Sequence, residues 1–260
     1  MINNIDLTKK SIEFQNSLPF NHIVIDDFFE EHWADKLAED FPQHNSKFWR
    51  TEYNNPLEIK KTNQYWGDFS SIYYSTFMEL LTNNFISTLK DITKIKNLYI
   101  DPGLYGGGLH SHSAEGKLNV HLDYSRHSKL PLQRKLNLIV YLNKGWQDSW
   151  GGHLELWSHD DTVNKPKECI KKILPKFNRA VLFDTTQNSW HGLPEKLKCP
   201  DNVARKSIAI YYLTDLTKDT NPRSRAYYAP YKDQENDKEI LLLIEKRSNN
   251  NTANTVYTIQ

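Results

Sequence analysis

The chain has 260 residues, and its 33 lysines and arginines against 32 aspartates and glutamates leave a formal net charge of +1. That balance supplies no field to gather a polyanion, so nucleic acid is not an expected partner. No apolar stretch approaches the roughly 18 residues a membrane span requires, and Met1-Ile2-Asn3-Asn4-Ile5-Asp6 lacks the features of a secretory signal. Cys169 and Cys199 offer no disulfide framework. The expectation is a cytoplasmic protein with free thiols and one β-rich domain.

In chain order, Phe20 to Asp26 predicts a strand, and Trp33, Leu37 and Phe41 recur at helical spacing across Glu30 to Phe41 before Pro42. Gln43 to Lys61 is polar and punctuated by aromatics, which predicts a long loop. Asp68 to Ile95 places Ile72, Phe77, Leu80, Leu81, Phe85 and Leu89 in one longer helical pattern. Asn97 to Asp101 predicts a strand. Pro102 to Leu109 follows as a glycine-rich loop, expected as a mobile rim, without the helix or Lys-Ser/Thr pair of a phosphate-binding fingerprint. His110 and His112 are expected as loop histidines beside it; with His121 they would form a rival imidazole cluster of the kind zinc prefers.

From Tyr99 to Leu213 strands dominate, with turn signals at Asn143-Lys144-Gly145, Trp150-Gly151-Gly152 and His159-Asp160-Asp161. Lys165 to Lys176 holds five lysines, Pro166 and Pro175 without interleaved aromatics, which predicts a solvated loop. Short strands with no long helices between them point to a jelly-roll type double sheet. Beyond Leu213, Arg223 and Arg225 either reach over the barrel mouth to an acidic substrate or pair with surface carboxylates. A helix is predicted over Glu235 to Lys246, followed by a polar Asn/Thr tail expected to fray.

The chemistry concentrates in three places. Lys117 to Asp123 alternates polar and apolar residues, and residues i and i+2 of a strand face the same way, so His121 and Asp123 project together. His191 stands just past the apolar strand Arg179 to Asp184 and its polar turn. Two imidazoles and one carboxylate are the ligand set of a non-heme Fe(II) oxygenase, which leaves an octahedral face open for a co-substrate and dioxygen. On the strand Arg205 to Leu213, Arg205, Ser207, Ala209 and Tyr211 share a face. A buried arginine there needs an anion; the distal carboxylate of 2-oxoglutarate suits a guanidinium fork, with Ser207 adding a hydroxyl donor.

With these elements the chain resembles the Fe(II)/2-oxoglutarate-dependent dioxygenases, specifically the prolyl 4-hydroxylase-like group. The likeness extends to Leu138-Ile139-Val140-Tyr141-Leu142-Asn143-Lys144-Gly145-Trp146 and Gly151-Gly152-His153-Leu154-Glu155-Leu156. It implies a mainly β fold with flanking helices, a double-stranded β-helix of the jelly-roll or cupin kind buttressed by N-terminal helices. One domain over 1–260 is expected, with supporting elements in 1–96, the barrel in 97–214 and an extension in 215–260. His121, Asp123 and His191 would ligate Fe(II), and Arg205 would bind 2-oxoglutarate, with Tyr141 offering its hydroxyl to the same group. Leu154 and Asn137 complete the implied cofactor-binding set. Lys206 is the alternative anchor, because Glu195 to Val203 lengthens the interval between His191 and Arg205.

The implied reaction consumes 2-oxoglutarate and dioxygen, with ascorbate as reductant, and hydroxylates an unactivated C–H bond while releasing succinate and carbon dioxide. A carboxylate at Asp123 favours hydroxylation over halogenation, since related halogenases keep a small residue there for chloride. A peptidyl or small-molecule substrate, proline-like in the first instance, is the expected partner. Two other classes remain open at this point: a jelly-roll enzyme of non-oxidative chemistry, such as a zinc hydrolase or cupin-type isomerase using His110, His112 and His121, and a non-catalytic binding sandwich.

Overall fold

The computed structural model describes residues 1–249. The first part of the chain forms α1 (Leu7–Asn16), β1 (His22–Ile25), α2 (Glu31–Glu39), β2 (Thr51–Asn55), β3 (Glu58–Asn63), α3 (Ser71–Leu80) and α4 (Asn83–Thr93). There follow β4 (Tyr99–Ile100), β5 (Gly108–His112), β6 (Lys117–Leu122), β7 (Leu132–Tyr141), β8 (Leu154–Asp160), β9 (Lys165–Ile173), β10 (Ala180–Asp184), β11 (Trp190–Leu193) and β12 (Arg205–Asp215). The described chain closes with β13 (Tyr227–Tyr228) and α5 (Lys238–Ser248). The Asn/Thr tail lies outside the described residues.

Alternation along β7 and β12 separates core from cavity. The antiparallel pairs Ile208–Val140, Ile210–Leu138 and Tyr212–Leu136 face the main apolar core, which α1 to α4 cover with Phe14, Leu37, Phe77, Phe85 and Leu89. The intervening pairs Ser207–Tyr141, Ala209–Ile139 and Tyr211–Asn137 face the barrel interior, because successive strand residues point to opposite sides. The sheet runs β1-β10-β7-β12-β5-β3-β6-β11-β8-β9, with β13 on β6, β2 on β3 and β4 on β12. It curls so that Val181 and Phe183 of β10 pack with Tyr141, Leu154, Leu156 and Ile173. That contact brings the two wings of the double-stranded β-helix face to face.

Four segments depart from the sequence expectations. Gln43 to Lys61 is not one long loop: it contains β2 and the start of β3, and β3 bridges β5 and β6. Its inward residues Glu58, Lys60 and Thr62 line a polar cavity, so hydrophobic alternation has nothing to register. Lys165 to Lys176 likewise contains β9, paired along one side to β8 at the end of the sheet. Lysines are the usual guard of such an edge and disguise the strand. The helical pattern of 68–95 divides into α3 and α4, because the Thr82 hydroxyl accepts from Phe85 N at 3.2 Å and opens a second helix. Finally, His110 and His112 belong to β5, not to a loop. The polar helix α1 escapes periodicity altogether; the Asp6 carboxylate caps it through Lys9 N at 3.0 Å, and Phe14 anchors it in the core.

Candidate active site

Register places the first two site residues. β11 pairs β6 with His191 opposite His121, and their rings meet at 4.4 Å between centroids on the inner face. Gly192 permits this approach: a Cβ there would fall 2.8 Å from the Leu118 carbonyl oxygen and 2.9 Å from that of Asn119. Asp123 lies two residues beyond His121, just past the end of β6, and returns to the same face. His121 Nε2 is 3.7 Å from Asp123 Oδ1, and His191 Nε2 is 3.8 Å from Asp123 Oδ2. Each residue offers one ligand atom to a group spanning 4.8 Å, and all three are buried.

The imidazoles are prepared for a metal by their far sides. His121 Nδ1 meets the Asn119 carbonyl at 2.9 Å, and His191 Nδ1 meets the Ser189 carbonyl at 2.8 Å. A carbonyl only accepts, so both Nδ1 atoms carry the proton and both Nε2 lone pairs face Asp123. Burial lowers His191 to about 4, which keeps it neutral and able to ligate near neutrality. Burial opposes the charge on Asp123, yet its surroundings, the Arg134 guanidinium among them, prevail and hold it well below the usual carboxylate range. Two imidazoles and one carboxylate, turned toward one point inside a cavity, fit a divalent iron ion.

The region beside Asp123 contains two groups that the sequence did not flag, Arg134 and Tyr124. The Arg134 guanidinium is stacked between Tyr124 and Tyr211, 3.3 and 3.4 Å from their ring centroids, and its Nη1 lies 3.7 Å from Asp123 Oδ1. Alternation from Asn137 would turn Arg134 away, but the ladder slips between Tyr212 and Leu213, pairing Leu213 with Arg134. That bulge re-aims the side chain. Gly106 leaves room for it, since a Cβ there would come within 2.4 Å of Arg134 Nη2. Tyr211 OH and Asn137 Nδ2 approach the Asp123 carboxylate at 3.4 and 3.5 Å. Among the described residues no carboxylate pairs with Arg223; its Nε donates to the Asp123 backbone carbonyl at 2.8 Å. Arg225 lines the cavity. Replacing Arg134 with methionine should weaken Fe(II) binding by roughly 10- to 100-fold, as loss of support behind a metal ligand does; unchanged affinity in an anaerobic metal titration would leave Arg134 a packing role alone.

Arg205 begins β12 deeper in the same cavity of about 320 Å³. It is 3% exposed; Nε donates to the Gly152 carbonyl at 2.8 Å and Nη2 to the Tyr141 hydroxyl at 3.2 Å. Among the described residues no carboxylate lies within ion-pair distance of it. Ser207, Asn137 and Leu154 line the cavity with it, so the expected set is gathered together. Lys206 faces the opposite side of the sheet, its Nζ 5.5 Å from the Phe41 ring centroid, and does not share this cavity. His110 and His112 do line it, but the metal-capable group among the described residues includes neither. The rival zinc cluster therefore has no geometric support.

Residues 107–213 match the 2OG-Fe(II) oxygenase superfamily model. The chain carries a 2OG-Fe(II) oxygenase domain. Relatives of the oxygenase include the prolyl 3-hydroxylase OGFOD1 of Mus musculus, 24% identical over 219 residues, which are 82% of this chain and 35% of that protein. The Xenopus laevis counterpart is 24% identical over 210 residues, 76% of this chain and 35% of that protein. The chain thus spans about a third of the length of the curated relatives it matches. A Pseudomonas putida prolyl-4-hydroxylase superposes with a TM-score of 0.54 at 13% identity, covering 80% of this chain and 99% of that one. A Trichoplax adhaerens prolyl hydroxylase in complex with a hypoxia inducible factor peptide gives 0.51 at 19% identity, covering 80% and 92%. These structural likenesses establish the double-stranded β-helix of the oxygenase domain. Fe(II), 2-oxoglutarate and dioxygen are the family's reactants, and no helix among the described residues is long and apolar enough to cross a membrane.

One wall of the oxygenase cavity is a buried charge cluster. Glu58 is 1% exposed, lies 3.0 Å from Lys60 Nζ and forms a second ion pair with Arg247. Burial would raise its carboxyl, but the two cations outweigh that and hold it at about 2 against an ordinary 4.5. A depressed carboxyl stabilises the fold above its unfolded value and ceases to do so as pH falls through the folded one. The contribution, about 3 kcal/mol, should therefore fade between pH 4.5 and about 2. Thermal unfolding followed against pH should show a steeper loss in that window for the native chain than for Glu58→Gln.

Proposed function

We propose that this chain hydroxylates an unactivated C–H bond of a peptidyl, proline-like substrate, with His121, Asp123 and His191 as the iron ligands and Arg205 as the anchor for 2-oxoglutarate. The carrying observation is the coexistence, in one cavity, of a three-donor group and a buried guanidinium lacking a carboxylate. A desolvated charge of that kind is costly unless an anion joins it, and 2-oxoglutarate brings one at the far end of a metal-chelating 2-oxo acid. The prolyl preference draws on the relatives named as prolyl hydroxylases. The helices and barrel are read as one catalytic domain because they share a core. Free thiols at Cys169 and Cys199 agree with a reducing cytoplasm.

Bound iron, with 2-oxoglutarate and dioxygen, would supply oxidative decarboxylation to succinate and carbon dioxide and transfer of one oxygen atom to a C–H bond. The protein's own tasks are geometric and electrostatic. The Nδ1–carbonyl bonds lock both imidazoles, Arg134 and Tyr211 hold Asp123, and Tyr141 orients Arg205 from the side. Leu154 and Ile139 keep the inner pocket apolar, so the Arg205 charge acts at low dielectric.

Anaerobic titration with Fe(II) and 2-oxoglutarate tests the reading. A visible metal-to-ligand charge-transfer band should develop, and after admission of oxygen with ascorbate, prolyl peptides should stimulate succinate release. Absence of the band would reject the assigned ligand and anchor set.

A further inference from the structure

Lys60 lines the cavity and pairs with Glu58 on the same wall. Thr62 of β3 stands opposite His110 of β5, and one inward step further along, Lys60 comes level with His112, which stands opposite Arg205 of β12. Three adjacent strands thus carry Lys60, His112 and Arg205 in a row, and with strands about 4.8 Å apart the outer two start roughly 10 Å from each other. The Lys60 side chain is 13% exposed, with Nζ 3.0 Å from Glu58 and 5.0 Å from the Tyr53 ring centroid. Glu58 also pairs with Arg247. Among the described residues it is the carboxylate within ion-pair range of Lys60. Between the two cations, His112 is 2% exposed and neither ring nitrogen has a hydrogen-bond partner among the described residues.

Arg205 accounts for the distal carboxylate of the co-substrate, and Lys60 lines the same cavity two strands away. We propose that Lys60 receives a carboxylate of the substrate, so that accepted substrates carry an acidic group next to the ring that is hydroxylated. The inference rests on the prolyl reading above and narrows it to acidic prolyl substrates. The carboxylate is that of a flanking aspartate or glutamate, or of a chain end.

The test is calorimetric titration of the anaerobic Fe(II)- and 2-oxoglutarate-loaded protein with three acidic probes, each against a neutral twin, up to about 20 mM, since weak fragments bind in the millimolar range. N-acetylproline is paired with its amide, and N-acetyl-Pro-Asp-amide and N-acetyl-Asp-Pro-amide with their asparagine analogues. At least one acid should bind about tenfold tighter than its twin. Lys60→Met should erase the preference, Lys60→Arg should retain it, and 2-oxoglutarate affinity should stay within threefold in both. Which acid wins separates a chain-end carboxylate from a flanking side chain. Equal binding within every pair, or no binding of any probe, overturns the proposal. So does a preference that survives Lys60→Met, or a tenfold loss of 2-oxoglutarate affinity in that variant. If Lys60→Met does not fold, the native and Lys60→Arg comparisons still decide. The charge-transfer band separates the two readings, because its absence rejects the oxygenase site whereas its presence without acid preference rejects the Lys60 assignment alone.

Discussion

Replacing Arg205 with leucine should raise the dissociation constant for 2-oxoglutarate by about 100- to 1,000-fold, while Fe(II) affinity changes by less than about threefold. The magnitude follows from truncating one partner of a buried, hydrogen-bonded charge pair, which costs about 2–5 kcal/mol. Arg205 is held before any ligand arrives, by the Gly152 carbonyl and the Tyr141 hydroxyl, so little ordering entropy opposes binding. Arg205→Lys should fall between the native chain and the leucine variant. It restores a charge but not the planar fork, and an ammonium loses its proton more readily when buried. Anaerobic titration with 2-oxoglutarate reads the effect through the charge-transfer band, and metal titration reads the control. A change of less than threefold in the 2-oxoglutarate constant would assign the anchoring role elsewhere.

The second large effect is expected at Asp123. Asp123→Ala or Asp123→Gly should abolish hydroxylation, with product falling by about 1,000-fold or more and Fe(II) affinity falling with it. The carboxylate supplies the sole negative charge among the assigned ligands, and it is already ionised and faced by both imidazoles. Its removal also leaves Arg134 buried without its acidic neighbour, which adds a stability penalty of the kind unpaired buried charges carry. Thermal unfolding of the metal-free variants separates that penalty from the loss of ligation. Near-native succinate formation with hydroxylated product from either variant would refute the ligand assignment.

Much of this site is legible in the chain because its logic is local. His121 and Asp123 are two residues apart, and a period of two puts them on one face whatever the rest of the protein does. Arg205, Ser207, Ala209 and Tyr211 obey the same rule, and all four line the cavity. Sequence was less informative where polar residues point inward. Glu58, Lys60 and Thr62 face a polar interior, so β3 looks like a loop. Arg134 lies on the wrong parity for its strand until a bulge corrects it. His110 and His112 resemble surface histidines, yet both line the interior from β5.

Spacing within a few residues is enough to set the alternating strands, the amphipathic helices behind them, the His-x-Asp pair and the inward face of β12. Tertiary structure decided which distant residues share a cavity: that His191 lies in register with His121, that Arg205 has a buried guanidinium without an acid, and that Lys60 faces inward. Strand register and curvature arise from pairing between segments far apart in the chain, and the same packing that places a charge also sets the dielectric around it.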